Sequence, residues 1–130
     1  MLNNDELRAF GSGLKRPECV LCSASDTVYV ANWDGGVTAI GADGSQIDYL
    51  AKAAPVALKP NGIALRPDGS FLLANLGDDG GIWQLQRNGD CTPFLLTVDG
   101  EDVPPANFVQ PDNDGGVWIT ISTRKAPRAL

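Results

Sequence analysis

The 130-residue sequence repeats itself with a period of 43 to 46 residues, and this repeat limits the possible fold more than any other feature. The segment VYVANWDGGV at 28–37 aligns with FLLANLGDDGGI at 71–82, which carries a two-residue insertion. A third copy begins near residue 103 and includes DNDGGVWI at 112–119, which aligns with RPDGSFLL at 66–73. A period of this length is typical of folds that stack one supersecondary unit per repeat.

Each repeat divides into short apolar segments separated by turn residues. The first contains CVLC, VYVAN, GGVTAI and QIDYL, and the second contains GIAL, FLLAN, GGIWQL and TPFLL. Segments of this length and composition favour strands, and the Asp-Gly and Asn-Gly pairs between them favour tight turns. Four antiparallel strands in about 45 residues predict a β-propeller blade. The only helical segment we expect is a short turn within residues 4–10.

The sequence therefore predicts an all-β fold with about three blades, which is half of a six-bladed propeller. Residues 1–130 form a single half-propeller domain in this interpretation, with repeats at about 14–55, 57–99 and 103–130, the last one incomplete. A propeller closes with roughly 4–8 blades, so three blades leave two blade faces uncovered. Either the chain is part of a longer one, or it associates with itself. A homodimer of two arcs would form a six-bladed ring with two-fold symmetry.

Charge and hydropathy restrict the partners. The net charge is −6 and Lys and Arg form no cluster, which disfavours a nucleic-acid partner. No apolar run approaches the roughly 18 residues of a membrane span, and the start, MLNNDELRAF, lacks the features of a signal peptide. We expect a cytoplasmic protein without a membrane or nucleic-acid partner.

The three cysteines and the absence of histidine argue against a zinc or redox centre. Cys19 and Cys22 form a C-x-x-C pair, but residues three apart on a strand point to opposite faces. Cys91 lies in another repeat, and without histidine the chain lacks the commonest zinc ligand. We expect these cysteines to act as small buried apolar residues.

Three polar residues share one repeat position, directly before the inner strand of each blade: Glu18, Asn61 and Asn107. Equivalent positions in a propeller are related by rotation about its axis, so these side chains are expected to converge at one end of the channel. Their oxygen atoms suit calcium or magnesium, although one carboxylate and two amides are a weak ligand set. Alternatively, the three residues cap turns or line a polar channel end.

Structural roles explain most of the tryptophans and the Asp-Gly-Gly runs. Trp83 and Trp118 lie within strands and are expected to pack between blades, whereas Trp33 follows a strand and is more open to a sugar-stacking role. The Asp-Gly-Gly runs do not match the spacing of a calcium-binding EF-hand loop, so turns explain them better.

The motifs RPECVLC, PNGIALRPDGSFLLANLGDDGGIWQL and PPANFVQPDNDGGVWITISTRKAPRAL resemble the gluconolactonase, regucalcin and senescence-marker-protein family. The resemblance extends from about residue 11 onward. It implies a six-bladed propeller that hydrolyses sugar lactones with a divalent metal at one end of the channel. Calcium is the expected metal, with zinc, magnesium and manganese as alternatives.

The resemblance also implies roles for individual residues. Glu18 matches the metal-binding glutamate of the first blade, and Asn107 matches an asparagine that contacts substrate. Asn61 holds the equivalent place in its own blade. Independently of the resemblance, Arg124 in STR is a candidate to line the channel or a pocket and to bind substrate, with a surface position as the alternative. The family's other metal ligands and its catalytic base would lie in blades four to six, so no catalytic residue is assigned here.

The resulting interpretation is a divalent-metal-dependent, sugar-lactone hydrolase-like protein that self-association completes. The alternative is a non-catalytic half-propeller, which acts as a binding or assembly module or is a truncated remnant.

Overall fold

The computed structural model describes residues 3–125, and it is almost entirely β-structure. The N-terminal segment contains one 3-10 turn, Asn4–Glu6, in agreement with the expected short turn. The strands are β1 (Val20–Cys22), β2 (Val28–Asn32), β3 (Gly36–Ile40), β4 (Gln46–Leu50), β5 (Pro60–Leu65), β6 (Phe71–Asn75), β7 (Ile82–Leu85), β8 (Cys91–Leu95), β9 (Thr97–Val98), β10 (Glu101–Asp102), β11 (Ala106–Pro111) and β12 (Val117–Ile121).

The strands form antiparallel sheets that follow the sequence repeat. Blade 1 is the sheet β1-β2-β3-β4, and blade 2 is the sheet β5-β6-β7-β8. Blade 3 contains β11 and β12, and the hairpin β9–β10 lies between blades 2 and 3 in the chain. The first strand of each blade is its inner strand, and β5 contacts both β1 and β11. The all-β blade architecture predicted from the sequence is therefore confirmed.

Side-chain hydrogen bonds fix the turns that separate the strands. In the turn between β5 and β6, Asp68 Oδ1 accepts hydrogen bonds from the backbone N (2.9 Å) and the Oγ (2.6 Å) of Ser70. Gly69 lies between them with φ +84°, a backbone conformation that glycine adopts without strain. The same residue pattern in Asp43-Gly44-Ser45 forms the turn between β3 and β4.

The core between blades 1 and 2 consists of apolar side chains from their facing surfaces. Tyr29 of β2 packs against Phe71 of β6 with ring centroids 5.5 Å apart. Leu73 and Trp83 belong to the same buried cluster, so the expected burial of Trp83 between blades is confirmed. Arg87 closes the outer end of this core, because its guanidinium donates to the hydroxyls of Tyr29 and Tyr49 at 3.2 Å.

At their inner strands, blades 2 and 3 lie in close contact. A Cβ atom at Gly62 of β5 would lie 2.6 Å from the Cα atom of Phe108 on β11, so only glycine allows this distance. Further out, Leu72 and Ala74 of blade 2 form a buried cluster with Val109 and the partly buried Ile119 of blade 3. Blade 3 thus packs on blade 2 through one of its two faces.

The opposite face of blade 3 is uncovered in the described part of the chain. Trp118 lies on that face of β12 and is 71% exposed, so the expected burial of Trp118 is wrong for a single chain. Its repeat equivalent on β6, Leu72, is only 1% exposed because blade 3 covers it. Nothing among residues 3–125 covers Trp118 in the same way. No helix within these residues has the length and hydropathy to cross a membrane.

Candidate functional site

A β-bulge positions each of the two asparagines at the start of an inner strand. In blade 2, Pro60 pairs with Asn75 and Gly62 with Ala74, which leaves Asn61 as the extra residue of β5. In blade 3, the shift in register between Ala106 and Phe108 leaves Asn107 in the same position on β11. Bulges redirect a side chain out of the regular alternation of a strand, and they are common beside functional sites.

The bulges bring Asn61 and Asn107 into contact. Asn61 Nδ2 donates a hydrogen bond to the backbone carbonyl of Asn107 at 3.0 Å. The Oδ1 atoms of both residues are buried and accept no hydrogen bond. An unpaired buried acceptor costs about 1–3 kcal/mol, so two of them on neighbouring inner strands need an explanation. A cation, or a ligand that donates hydrogen bonds, would satisfy both oxygens.

Glu18 has a different environment at the equivalent position of blade 1. Its side chain is 45% exposed, and Oε1 forms an ion pair with Arg16 Nε at 2.6 Å. Arg16 has a positive φ of 49°, and the backbone N of Glu18 donates to its carbonyl at 2.9 Å. The Glu18 carboxylate is thus held by a neighbouring cation, whereas the amide oxygens of Asn61 and Asn107 have no partner.

Cations also cover the indole of Trp33, which follows β2. The Arg16 guanidinium lies 4.1 Å from the ring centroid, and Lys59 Nζ lies 5.7 Å from it. Lys59 Nζ additionally donates to the backbone carbonyl of Trp33 at 3.2 Å. These contacts occupy Trp33 with cation–π interactions, so the structure does not favour its alternative role in sugar stacking.

Arg124 lies in a groove formed by the β9–β10 hairpin and β12. It forms an ion pair with Glu101 at 3.1 Å, and both side chains are largely exposed. The groove has a volume of about 400 Å³, and the residues that line it include Val103 and Ile121 but neither asparagine. The structure therefore places Arg124 apart from the asparagine pair, and its role in substrate binding stays a prediction.

The sequence analysis missed two further asparagines, Asn32 and Asn75, which end β2 and β6. The repeated Ala-Asn pair at these strand ends was an available signal. The buried Asn75 accepts from the backbone N atoms of Lys59 (2.8 Å) and Gly77 (3.0 Å), and it donates to the carbonyl of Gly80 (3.1 Å). Asn75 thus fixes the loops next to Asn61. Because its hydrogen bonds are satisfied, it has a structural role.

The cysteines do not form a metal or redox centre. All three are free, and burial raises the pKa of the Cys19 and Cys91 thiols. Cys22 is exposed, so the expectation of burial is wrong for this residue. It lines a cavity of about 350 Å³ bordered by the ends of the inner strands.

A single chain supplies only some of the ligands that a calcium site needs. Residues 3–125 contain no group of three or more His, Cys, Asp or Glu side chains placed to hold a metal ion. The two free amide oxygens suit a hard cation, but calcium takes about 6–8 oxygen ligands. Asn61 and Asn107 therefore fit a portion of such a site, whereas the Glu18 carboxylate pairs with Arg16.

Comparison with known proteins supports the fold but does not assign a family. No family model and no curated protein matches the sequence. A solved structure of virginiamycin B lyase from Staphylococcus aureus is similar with a TM-score of 0.59 at 14% identity, covering 82% of this chain and 34% of that chain. A streptogramin B lyase is similar with a TM-score of 0.60 at 19% identity, covering 78% and 33%.

A third solved structure is a catalytically inactive histidine-to-alanine variant of the Staphylococcus aureus virginiamycin B lyase with quinupristin. Its TM-score is 0.60 at 20% identity, covering 88% of this chain and 36% of that chain. At such identities the similarity shows the fold alone. The chain thus has a β-propeller fold, and it spans about a third of the length of these structures.

Proposed function

We propose that the whole chain, residues 1–130, is one half of a six-bladed propeller whose channel end binds a divalent cation, with calcium as the first candidate. A second copy completes the ring, and the completed site hydrolyses a sugar lactone. The observation that carries this proposal is the pair of buried Oδ1 atoms of Asn61 and Asn107 without partners. Two bulges redirect these side chains at a cost that a bound ligand would offset.

A two-fold ring would double the ligand set. Two copies each of Glu18, Asn61 and Asn107 supply two carboxylates and four amides, which approaches the oxygen number that calcium prefers. A divalent ion at this position would supply Lewis-acid polarisation of a lactone carbonyl. The asparagine amides would orient the hydroxyl groups of the sugar. Arg16 orients the Glu18 carboxylate through their 2.6 Å ion pair.

The similarity to streptogramin lyases does not favour the lyase reaction for this chain. One of the similar structures is inactive after replacement of a histidine by alanine, and this chain contains no histidine. Any general base in this chain is therefore a different residue, and a carboxylate is the candidate that remains.

Thermal unfolding with added CaCl₂ tests the proposed site. We expect calcium to raise the Tm of the wild-type chain, because a ligand that binds only the folded state stabilises it by mass action. Asn61→Ala and Asn107→Ala should abolish this shift, and Glu18→Gln should weaken it. Asn113→Ala, at an exposed turn asparagine, is the matched control and should retain the shift. Equal Tm values with and without calcium in the wild type would overturn the proposal.

Activity is tested separately on a simple aldonolactone with calcium, magnesium, manganese and zinc. We expect metal-dependent hydrolysis that Asn107→Ala reduces and Asn113→Ala does not. A chain that binds calcium but hydrolyses no lactone would support the second candidate, a non-catalytic binding module. The absence of a carboxylate cluster among residues 3–125 is the observation that favours this second candidate.

A further inference from the structure

A further cavity lies between blades 1 and 2, at a place that the proposed cation site does not use. Its volume is about 250 Å³, and neither Asn61 nor Asn107 lines it. Blade 1 contributes side chains of β2, β3 and β4 together with the turns beside them. Blade 2 contributes Arg87, from the turn between β7 and β8. The cavity is therefore formed within one chain.

The Arg87 guanidinium has donors without partners in this cavity. Its Nε donates to the carbonyl of Gly69 at 2.9 Å, and its two terminal nitrogens donate to the hydroxyls of Tyr29 and Tyr49, each at 3.2 Å. A guanidinium carries five N–H groups, so two remain. Among residues 3–125, no carboxylate forms an ion pair with Arg87. The positive charge thus has no counter-ion in this part of the chain.

Hydroxyl groups add to these donors. Because the hydroxyls of Tyr29 and Tyr49 accept from Arg87, each keeps its own proton to donate, and neither has an acceptor among residues 3–125. Thr27 also lines the cavity, and within the same residues its hydrogen bonds are made by its backbone. Ser45 differs, since its Oγ donates to Asp43 at 2.7 Å. Unpartnered N–H and O–H groups gathered around one positive charge are suited to an anion.

The remaining wall of the cavity is apolar. Tyr29 pairs with Ala39 and Ala39 pairs with Ile47, so the three side chains lie in a row on one face of blade 1. Ile47 is 56% exposed, although it lies on the face that packs against blade 2. An inorganic anion would leave this wall in contact with water, whereas a short hydrocarbon chain would cover it.

We propose that this cavity binds a small organic acid. The Arg87 guanidinium and the hydroxyls of Tyr29 and Tyr49 bind the carboxylate, and the hydrocarbon part of the acid lies on Ala39 and Ile47. Arginine is well suited to this role because its planar N–H groups match the two oxygens of a carboxylate. The site requires neither the cation nor a second copy of the chain, so it is independent of the proposed hydrolase site.

Titration of the ¹⁵N-labelled chain with sodium butyrate tests this inference, with the Nε–H resonance of Arg87 as the readout. Arg87→Lys identifies this resonance by its loss, and sodium chloride at equal concentration controls for ionic strength. We expect a saturable shift in the wild type. Tyr49→Phe keeps the ring that lies 5.0 Å from the guanidinium but removes one O–H donor, and it should weaken binding by about tenfold or more.

Arg66→Gln is the matched control. Arg66 is a second arginine of blade 2 that lies over an aromatic ring, 5.3 Å from Phe94, and it does not line the cavity. Its replacement makes the same change in net charge as the loss of Arg87 would, and it should leave the affinity for butyrate unchanged. Loss of butyrate binding in Arg66→Gln would show a general effect of charge and would overturn the site.

Acetate and inorganic phosphate test the apolar wall. Butyrate has two more methylene groups than acetate, so it should bind more tightly by up to about tenfold. Phosphate that binds more tightly than butyrate would overturn the assignment to an organic acid. An Arg87 resonance that butyrate does not shift, or a Tyr49→Phe chain with the wild-type affinity, would overturn the site itself.

Discussion

Leu72 and Trp118 occupy the same repeat position in blades 2 and 3, and their substitution by alanine should have opposite consequences. Leu72 is 1% exposed within one chain, so Leu72→Ala removes packing from the core and should lower the unfolding free energy by about 2–5 kcal/mol. Trp118 is 71% exposed, so Trp118→Ala should change the stability of an isolated chain by less than about 0.5 kcal/mol.

Association of two chains should instead depend on Trp118. Covering the exposed 71% of a tryptophan of roughly 250 Å² removes about 180 Å² from water, worth about 4.5 kcal/mol per junction as an upper value. Because the two-fold ring has two such junctions, Trp118→Ala should raise the dimer dissociation constant by up to about a thousandfold for each of them, about a millionfold together. Urea unfolding measures the first effect, and sedimentation equilibrium measures the second. A Trp118→Ala chain with the wild-type dissociation constant would refute the assignment of this face as a blade-to-blade surface.

Three further predictions concern the core, the thiols and pH. Arg87→Ala should lower the unfolding free energy, measured in urea, by about 1–2 kcal/mol, because the guanidinium contacts Tyr29 and the neighbouring rings. Arg87→Lys should restore little of this stability, and full restoration would contradict the stacked geometry. A thiol reagent should modify the exposed Cys22 first and the buried Cys19 only on unfolding; equal rates for these two thiols would contradict the packing. The Ser70 hydrogen bond lowers the pKa of Asp68 in the folded state. The ionised Asp68 therefore stabilises the fold at neutral pH, and this stabilisation is lost as the pH falls through the lowered pKa. Ser70→Ala should reduce the fall of Tm at acid pH in a Tm-versus-pH profile.

The strands were predictable because their local signals agree. VYVAN, FLLAN and VWITI are apolar or β-branched segments, each next to an Asp-Gly turn, and each forms the second strand of a blade. The β9–β10 hairpin was missed, although Asp99-Gly100 is a strong hairpin signal. Both residues have positive φ, 52° and 80°, as such a turn requires.

The geometry of the site could be predicted only in part. The repeat correctly placed Asn61 and Asn107 at equivalent strand starts, but nothing local in the sequence shows that each is the extra residue of a bulge. The ion pair of Glu18 depends on the unusual backbone of Arg16, which no sequence pattern indicates. Burial of Trp118 was wrongly expected because the strand pattern shows which face is apolar, and not whether another blade covers it.

Sedimentation equilibrium with and without calcium tests the account most directly, because the proposed cation site and the proposed ring are coupled. If calcium binds where two copies meet at the channel end, it must favour the dimer over the chain of 13.7 kDa. We predict that calcium lowers the dimer dissociation constant of the wild type and of Asn113→Ala, but not that of Asn107→Ala. A wild-type mass of 13.7 kDa that calcium leaves unchanged would contradict the account.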